Sequence, residues 1–537
     1  MVPDARYRVE FDEKRIDAIF ATLDQGRLPG AMAGIAIRGK PVYRKGFGLA
    51  SLELPVVLSP TTRLRLGSTT KHFAALAYLL LCEEGRAGID DPIGKYLPEI
   101  NPASGQITMR QLMTNTSGLR DATDVIAQFC GMRTQRISTA ELLSYYRDID
   151  DVNFAPPGTG WIYNNGGWIL LSVAIERIAD QSFEEVMRER IFNPVGMYDT
   201  EVRRWDSDFY PNSASTHAWN PAVGRYERLE FCGGTDFVGA GAIISTIDDM
   251  LRWMAHMDAP KVASAASWEL MKSPQILPNG TSTGYGFGLQ TGLYRGVETL
   301  WHGGGGLGSN TQMLKVPRAG LDVEVMVNSS RDVFGVVLAT QILDACLPAL
   351  DPVKRLFSGP SVTGTFRSPT TGRVVQLFGG GGQQLGTIGA NEIPFEPDDR
   401  GVLRPGALYD YMKLEITMLG DPEKPASIRL SDFGNTDELV RLSPPARPDA
   451  SAIAGRYLSA TTGTHISIVP TDEGARLSAT GRYGSMVYDL ECLAQGVWRT
   501  KPTNPGFLGG LLSFDRDAAV FRYSNLLTRD LPFRRVG

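Results

Sequence analysis

The chain has 537 residues, 42% hydrophobic and 21% charged, with a formal net charge of −5. That balance fits a globular protein with a large core and excludes a disordered chain, a small disulfide scaffold and a collagen-like fibre. The slight acidic excess, 54 Lys and Arg against 59 Asp and Glu, leaves no basic footprint for nucleic acid.

Residues 11–28 read as an amphipathic opening helix. Residues 31–37 and 42–47 flank Arg38-Gly39-Lys40-Pro41, a pattern of two strands around a tight turn. From Ser68 to Met250 the pattern is mostly helical with long loops. The run from Phe73 to Cys82 is apolar on all faces, so it predicts a buried helix, too short for the roughly 20 residues that span a bilayer. Strand patterns return near 298–301, 311–316 and 321–327, and a helix follows over 333–347. Strands at both ends with helices between predict an α+β fold, one antiparallel sheet flanked by helices, with its first and last strands sharing that sheet.

Near residue 350 the composition changes. Pro348, Pro352 and Pro360 punctuate the chain, and short alternating strands with Gly turns follow. Residues 362–372 can be laid without gaps over residues 453–463, and Ser443-Pro444-Pro445-Ala446-Arg447-Pro448 precedes the second copy. This predicts two all-β antiparallel barrels. The expected organisation is a catalytic domain over 1–350 and barrels over 361–445 and 451–537. The first residues are polar, without the apolar core of a secretory signal, and the five cysteines form no CxxC pair. The expectation is a cytoplasmic protein with no metal, no cofactor and no membrane attachment.

Three motifs carry chemistry. In the first, Ser68 opens the buried helix and Lys71 follows one turn later on the same face. A serine hydroxyl needs a neighbour to accept its proton, and a desolvated lysine can do so. In the second, a Pro/Gly-rich approach delivers Tyr163 and Asn165 just before a helix. Tyr163 is a candidate acid or base beside the charge of Lys71, and Asn165 a candidate donor to a substrate carbonyl. In the third, His302 and four glycines, Gly303 to Gly306, end a strand, where bare backbone lets a ligand lie close and offers an oxyanion N–H. Taken singly, each motif also reads structurally: a capping serine with a surface lysine, a turn with packed aromatics, a loop with a packed histidine.

In this order and spacing, Ser68-x-x-Lys71, Tyr163-x-Asn165 and His302-x-Gly304 resemble the serine β-lactamase and penicillin-binding protein superfamily. Further stretches, 88–98, 115–121, 239–246 and 285–289, are similar to its class C branch, and the likeness covers residues 11 to about 350. Within the superfamily the chain is most similar to bacterial D-stereospecific aminopeptidases, which carry His-Gly-Gly on the strand and two eight-stranded barrels behind the catalytic domain. The resemblance implies an acyl-enzyme with Ser68 as nucleophile and Lys71 and Tyr163 sharing the base role. His302 would sit at the strand edge, with Asn165, Gly303, Gly304 and Gly305 against the substrate. It also implies a homodimer and a last-barrel loop, near 501–510, that reaches the active site and meets the substrate ammonium. No acidic residue is evident there, and Asn504 is the nearest polar candidate.

His302 bears on the substrate. A histidine with an ordinary pKa near 6.5 is only partly charged at neutral pH. It should grip a carboxylate less firmly than the lysine usual at this place. The expected activity is therefore release of N-terminal D-residues, such as D-Ala or Gly, from peptides, amides or esters. The alternatives are an esterase or D-amino-acid amidase, a DD-peptidase or β-lactamase, and a non-catalytic penicillin-recognising or interaction protein.

Overall fold

A computed structural model describes residues 4–23, 26–129, 136–149, 153–220, 223–228, 236–306, 308–331, 334–352, 361–380, 382–389, 391–406, 411–444, 449–482, 484–502 and 509–536. The opening helix, α1 (Glu13–Phe20), is capped by Asp12, whose carboxylate accepts the Lys14 N–H. It is shorter than the periodicity predicts. Its last turn tightens into an i→i−3 bond from Ala21 to Ala18, and turn follows. β1 (Ala31–Ile37) and β2 (Lys40–Phe47) form the expected hairpin. Arg38 and Gly39 both take positive φ, 51° and 72°, the two-residue turn whose twist matches paired strands.

Four later strands complete the sheet: β3 (Gln290–Tyr294), β4 (Val297–Gly306), β5 (Ser309–Val316) and β6 (Leu321–Val327). The order is β3-β4-β5-β6-β1-β2, so the first and last segments of the catalytic fold do share a sheet. β6 is buried on both faces and shows how the sheet is covered. Val323, Val325 and Val327 pack with Ile16 and Phe20 of α1 and with Ile342 and Leu343 of a C-terminal helix, Gly335–Cys346. Met326, on the other face, joins Met32 and Met313 in the large helical core. The period of two therefore separates two cores across one strand.

On that second side lie α2 (Thr70–Glu83), α3 (Ala122–Phe129) and α4 (Asn165–Ala179). Eleven of the fourteen α2 residues are buried, as a helix without a polar face requires.

Both predicted barrels are present. Eight strands from Gly364–Arg367 to Asn435–Leu442 close on themselves, and eight more from Gly455–Ser459 to Leu531–Arg535 do the same. The sequence repeat maps onto equal places. Gly364 and Gly455 open the first strands, Phe366 and Tyr457 are fully buried, and Gly372 and Gly463 turn with φ of 72° and 64°.

The barrels are docked on the catalytic domain rather than strung behind it. In the first barrel Phe433 packs on Trp161 at 5.0 Å between ring centroids, and the Asn435 amide donates to Thr159 O. The second barrel grips α3. Tyr523 and Phe533 pack around Phe129, and the buried Asp124 accepts from Gln128, Asn525 and Thr528. Burial pushes the Asp124 carboxyl up to about 6, against the pull of those donors toward the ionised form.

The folded protein thus binds this proton more tightly than the unfolded chain, whose aspartate titrates near about 3.9. The site's contribution to stability is full below about pH 4 and is lost as the pH rises through about 6. In thermal denaturation, the wild-type chain should gain on Asp124→Asn as the pH falls from 7 to 4, by up to about 3 kcal/mol. A difference between the two that does not change with pH would contradict this.

Candidate active site

The turn that carries Ser68, the candidate nucleophile, is Gly67–Thr69, a single 3-10 turn that runs straight into α2. Ser68 is partly exposed there and borders a cavity, while Lys71, one turn on, is fully buried. The Lys71 amine lies 3.0 Å from Ser68 Oγ, 2.8 Å from Asn165 Oδ1 and 2.8 Å from Ala240 O. Each contact comes from a different element. As an ammonium it donates to all three oxygens. As a neutral amine it can donate to the two carbonyl-type oxygens, which only accept, and turn its lone pair to the Ser68 hydroxyl. The second arrangement is that of a general base.

Asn165 is the first residue of α4, and that helix end is tightly held. Asn164 caps it by accepting the Gly167 N–H at 2.7 Å. The Asp121 carboxylate accepts the N–H groups of Asn165 and Gly166 at 2.7 and 3.2 Å, the favourable end of a helix for an anion. Asn115, with φ 56°, accepts the Trp168 indole N–H at 3.0 Å. The stretch 115–121 thus acts as the clamp of the Tyr-x-Asn loop. Its role was hidden in the sequence because the contacts span some 45 residues. Ala240 lies in the stretch 239–246, but its contact with Lys71 is through the backbone carbonyl, which no side-chain pattern marks.

Tyr163 lies under Lys71, whose amine is 4.7 Å from the ring centroid. Its hydroxyl is buried and makes no hydrogen bond among the described residues. Ser68 is near enough to favour the phenolate, but burial outweighs it and holds the phenol well above its ordinary range. In this geometry the Lys71 cation lies over the ring face, and burial favours the protonated phenol.

His302 stands on β4, 1% exposed. Its Nδ1 lies 2.7 Å from Gly303 O, which can only accept, so Nδ1 carries the proton. Nε2 then accepts from the Tyr285 hydroxyl at 3.0 Å. Burial and the neighbouring Lys71 push its pKa down to about 3. The imidazole is neutral, a firmer statement than the partial charge expected from the sequence.

The glycines after His302 have two separate reasons. β3 pairs with β4 only as far as Trp301, so Gly303 to Gly306 form an open strand edge along the cavity. Gly304 also approaches the nucleophile turn: a Cβ there would stand 1.8 Å from Leu66 O. Thr311, its partner on β5, donates to that same carbonyl at 2.9 Å. Only glycine lets the strand lie this close to Ser68.

Ser68, Tyr163, Asn165, His302, Gly303, Gly304 and Gly305 border one cavity of about 670 Å³, with Lys71 behind Ser68. Its far wall comes from both barrels, among them Arg373, Asp432, Arg522, Arg529 and Asp530. Asn504 lies outside the described residues. The acidic residues on this wall are Asp432, at the end of a strand of the first barrel, and Asp530 of the second. Among the described residues, no group of three His, Cys, Asp or Glu could hold a metal ion.

The family description Beta-lactamase matches residues 16–347. A protein from Brucella ovis named D-aminopeptidase is 27% identical over 478 residues, 88% of this chain and 87% of its own. The fold is similar to that of the octameric penicillin-binding protein homologue from Pyrococcus abyssi, with a TM-score of 0.58 at 20% identity over 89% of this chain and 100% of that one. It is also similar to D-amino acid amidase from Ochrobactrum anthropi, with a TM-score of 0.52 at 22% identity over 61% and 98%. The match spans more than half of the chain and contains the whole constellation around Ser68; the chain belongs to the Beta-lactamase family.

Proposed function

We propose that the protein is a serine hydrolase that releases N-terminal D-amino acids from short peptides, amides or esters through an acyl-enzyme on Ser68. The observation that carries the reading is the Lys71 amine, 3.0 Å from Ser68 Oγ, with two further oxygens to orient it. In the proposed cycle Ser68 Oγ attacks the carbonyl as its proton passes to Lys71. The N–H groups of Ser68 and Gly305 hold the oxyanion. Asn165 commits Oδ1 to Lys71 and turns Nδ2 to the acyl side. Tyr163, with the Lys71 network, then returns that proton to the leaving nitrogen. Water then releases the acid by the reverse sequence.

Specificity for an aminoacyl substrate is supported by two facts. A neutral His302 provides no fixed cation at the strand edge for a penicillin carboxylate. The Brucella ovis D-aminopeptidase aligns over 88% of this chain, a share too large to leave the barrels out. We take 1–350 as the catalytic unit and 361–445 and 451–537 as barrels that complete its cavity. A homodimer and a cytoplasmic location belong to the same proposal. Among the described residues no helix is long and apolar enough to cross a membrane.

Four outcomes are expected. Ser68→Ala should lower kcat/KM on D-alanine p-nitroanilide by at least about 10⁴-fold, the scale of a lost nucleophile. Tyr163→Phe should lower it by about 10²–10⁴-fold with little change in melting temperature, since among the described residues the buried hydroxyl makes no hydrogen bond. The nitroanilide of L-alanine should react far more slowly than that of D-alanine; equal rates would end the stereospecific reading. By NMR, the His302 ring should keep neutral-form shifts from pH 5 to 8, because its folded pKa of about 3 lies below that range.

A further inference from the structure

The barrel wall of the cavity is electrostatically unbalanced. Three guanidinium groups, Arg373, Arg522 and Arg529, face two carboxylates, Asp432 and Asp530. Asp432 is already shared. Its Oδ2 lies 2.8 Å from Arg373 Nη2 of its own barrel and 2.8 Å from Arg529 Nη1 of the other. Asp530 lies in the field of Arg522, Arg373, Arg120 and Arg529. Arg522 is exposed, and its stem runs along the Gly372 turn, with Cδ 3.4 Å from where a Gly372 Cβ would stand. Among the described residues it forms neither a hydrogen bond nor an ion pair. Positive charge is therefore in excess on this wall, and it is concentrated where the two barrels meet.

This wall is close to the chemistry. Asp432 adjoins Phe433, whose ring is 5.0 Å from Trp161, and Trp161 is 6.3 Å from Tyr163, centroid to centroid. Each residue beyond a scissile bond extends a peptide by about 3.5 Å, so a short leaving portion can reach toward the barrels. A cavity wall rich in arginine favours a planar, bidentate carboxylate. Neither Asp432, held between two arginines, nor Asp530, surrounded by them, is arranged to meet an ammonium group.

We infer that Arg522, with Arg373 and Arg529, receives the free carboxylate at the C-terminal end of the leaving portion, so that the preferred substrates are short peptides with an unblocked C-terminus. This rests on the hydrolase reading above and narrows its substrate class. It also assigns a use to the positive charge that His302 does not supply: the carboxylate is met across the cavity rather than at the strand edge.

The test compares three substrates of the full-length protein: D-Ala-Gly, the same dipeptide amidated at its C-terminus, and D-alanine p-nitroanilide. The wild-type protein should favour the free carboxylate over the amide by about tenfold or more in kcat/KM, mainly through KM, and added salt should shrink the ratio. Arg522→Gln, a change at an exposed side chain, should bring the ratio to within about twofold of one. Arg529→Gln should do the same if its melting curve shows it folded. Turnover of the nitroanilide together with equal turnover of dipeptide and amide would overturn the carboxylate assignment alone. A preference that survives both variants would overturn it too. Inertness toward all three substrates would overturn the hydrolase reading beneath it.

Discussion

Placing a lysine amine next to a serine hydroxyl in the interior is the constraint on which the catalytic domain is organised. An amine taken out of water has to be surrounded by oxygen. Here that oxygen comes from the nucleophile turn, from the start of α4 and from the backbone at Ala240. None of these can move without leaving Lys71 short of a partner. The apolar α2 follows from the same need, since it carries Lys71 into a core that the rest of the helix fills.

The supports lie one step further out. Asp121 and Asn164 fix the first turn of α4, and with it Asn165. Asn115 fixes the helix through Trp168. On the other side, Gly304 and Thr311 bring the sheet against Leu66, two residues before Ser68. Two rigid bodies, helical core and sheet, are thereby closed on one serine. His302 belongs to this frame through Tyr285 and Gly303, and burial removes its charge as a consequence. The barrels then complete a cavity that the catalytic domain leaves open.

Much of this was legible in the sequence. The apolar run after Ser68, the Gly-rich strand end and the 91-residue offset between Gly364 and Gly455 each follow a local rule of pattern or spacing. The hairpin at Arg38-Gly39 and the sharing of one sheet by the first and last strands were also readable, though not that the two lie side by side. Less legible were β3 at Gln290–Tyr294, which has weak alternation, and the end of α1, where turn replaced helix.

What the sequence by itself determined was the set of chemical groups and the kinds of element that carry them, because hydrophobic period, turn residues and i,i+3 spacing act over a few residues. Tertiary structure alone decided the states of those groups. Burial and near neighbours push the Tyr163 phenol up and the His302 imidazole down, which no local pattern encodes. The same holds for the arginine-rich wall. Arg373 and Arg529 are far apart in the chain and meet only across Asp432, where two separately folded barrels come together over the active site.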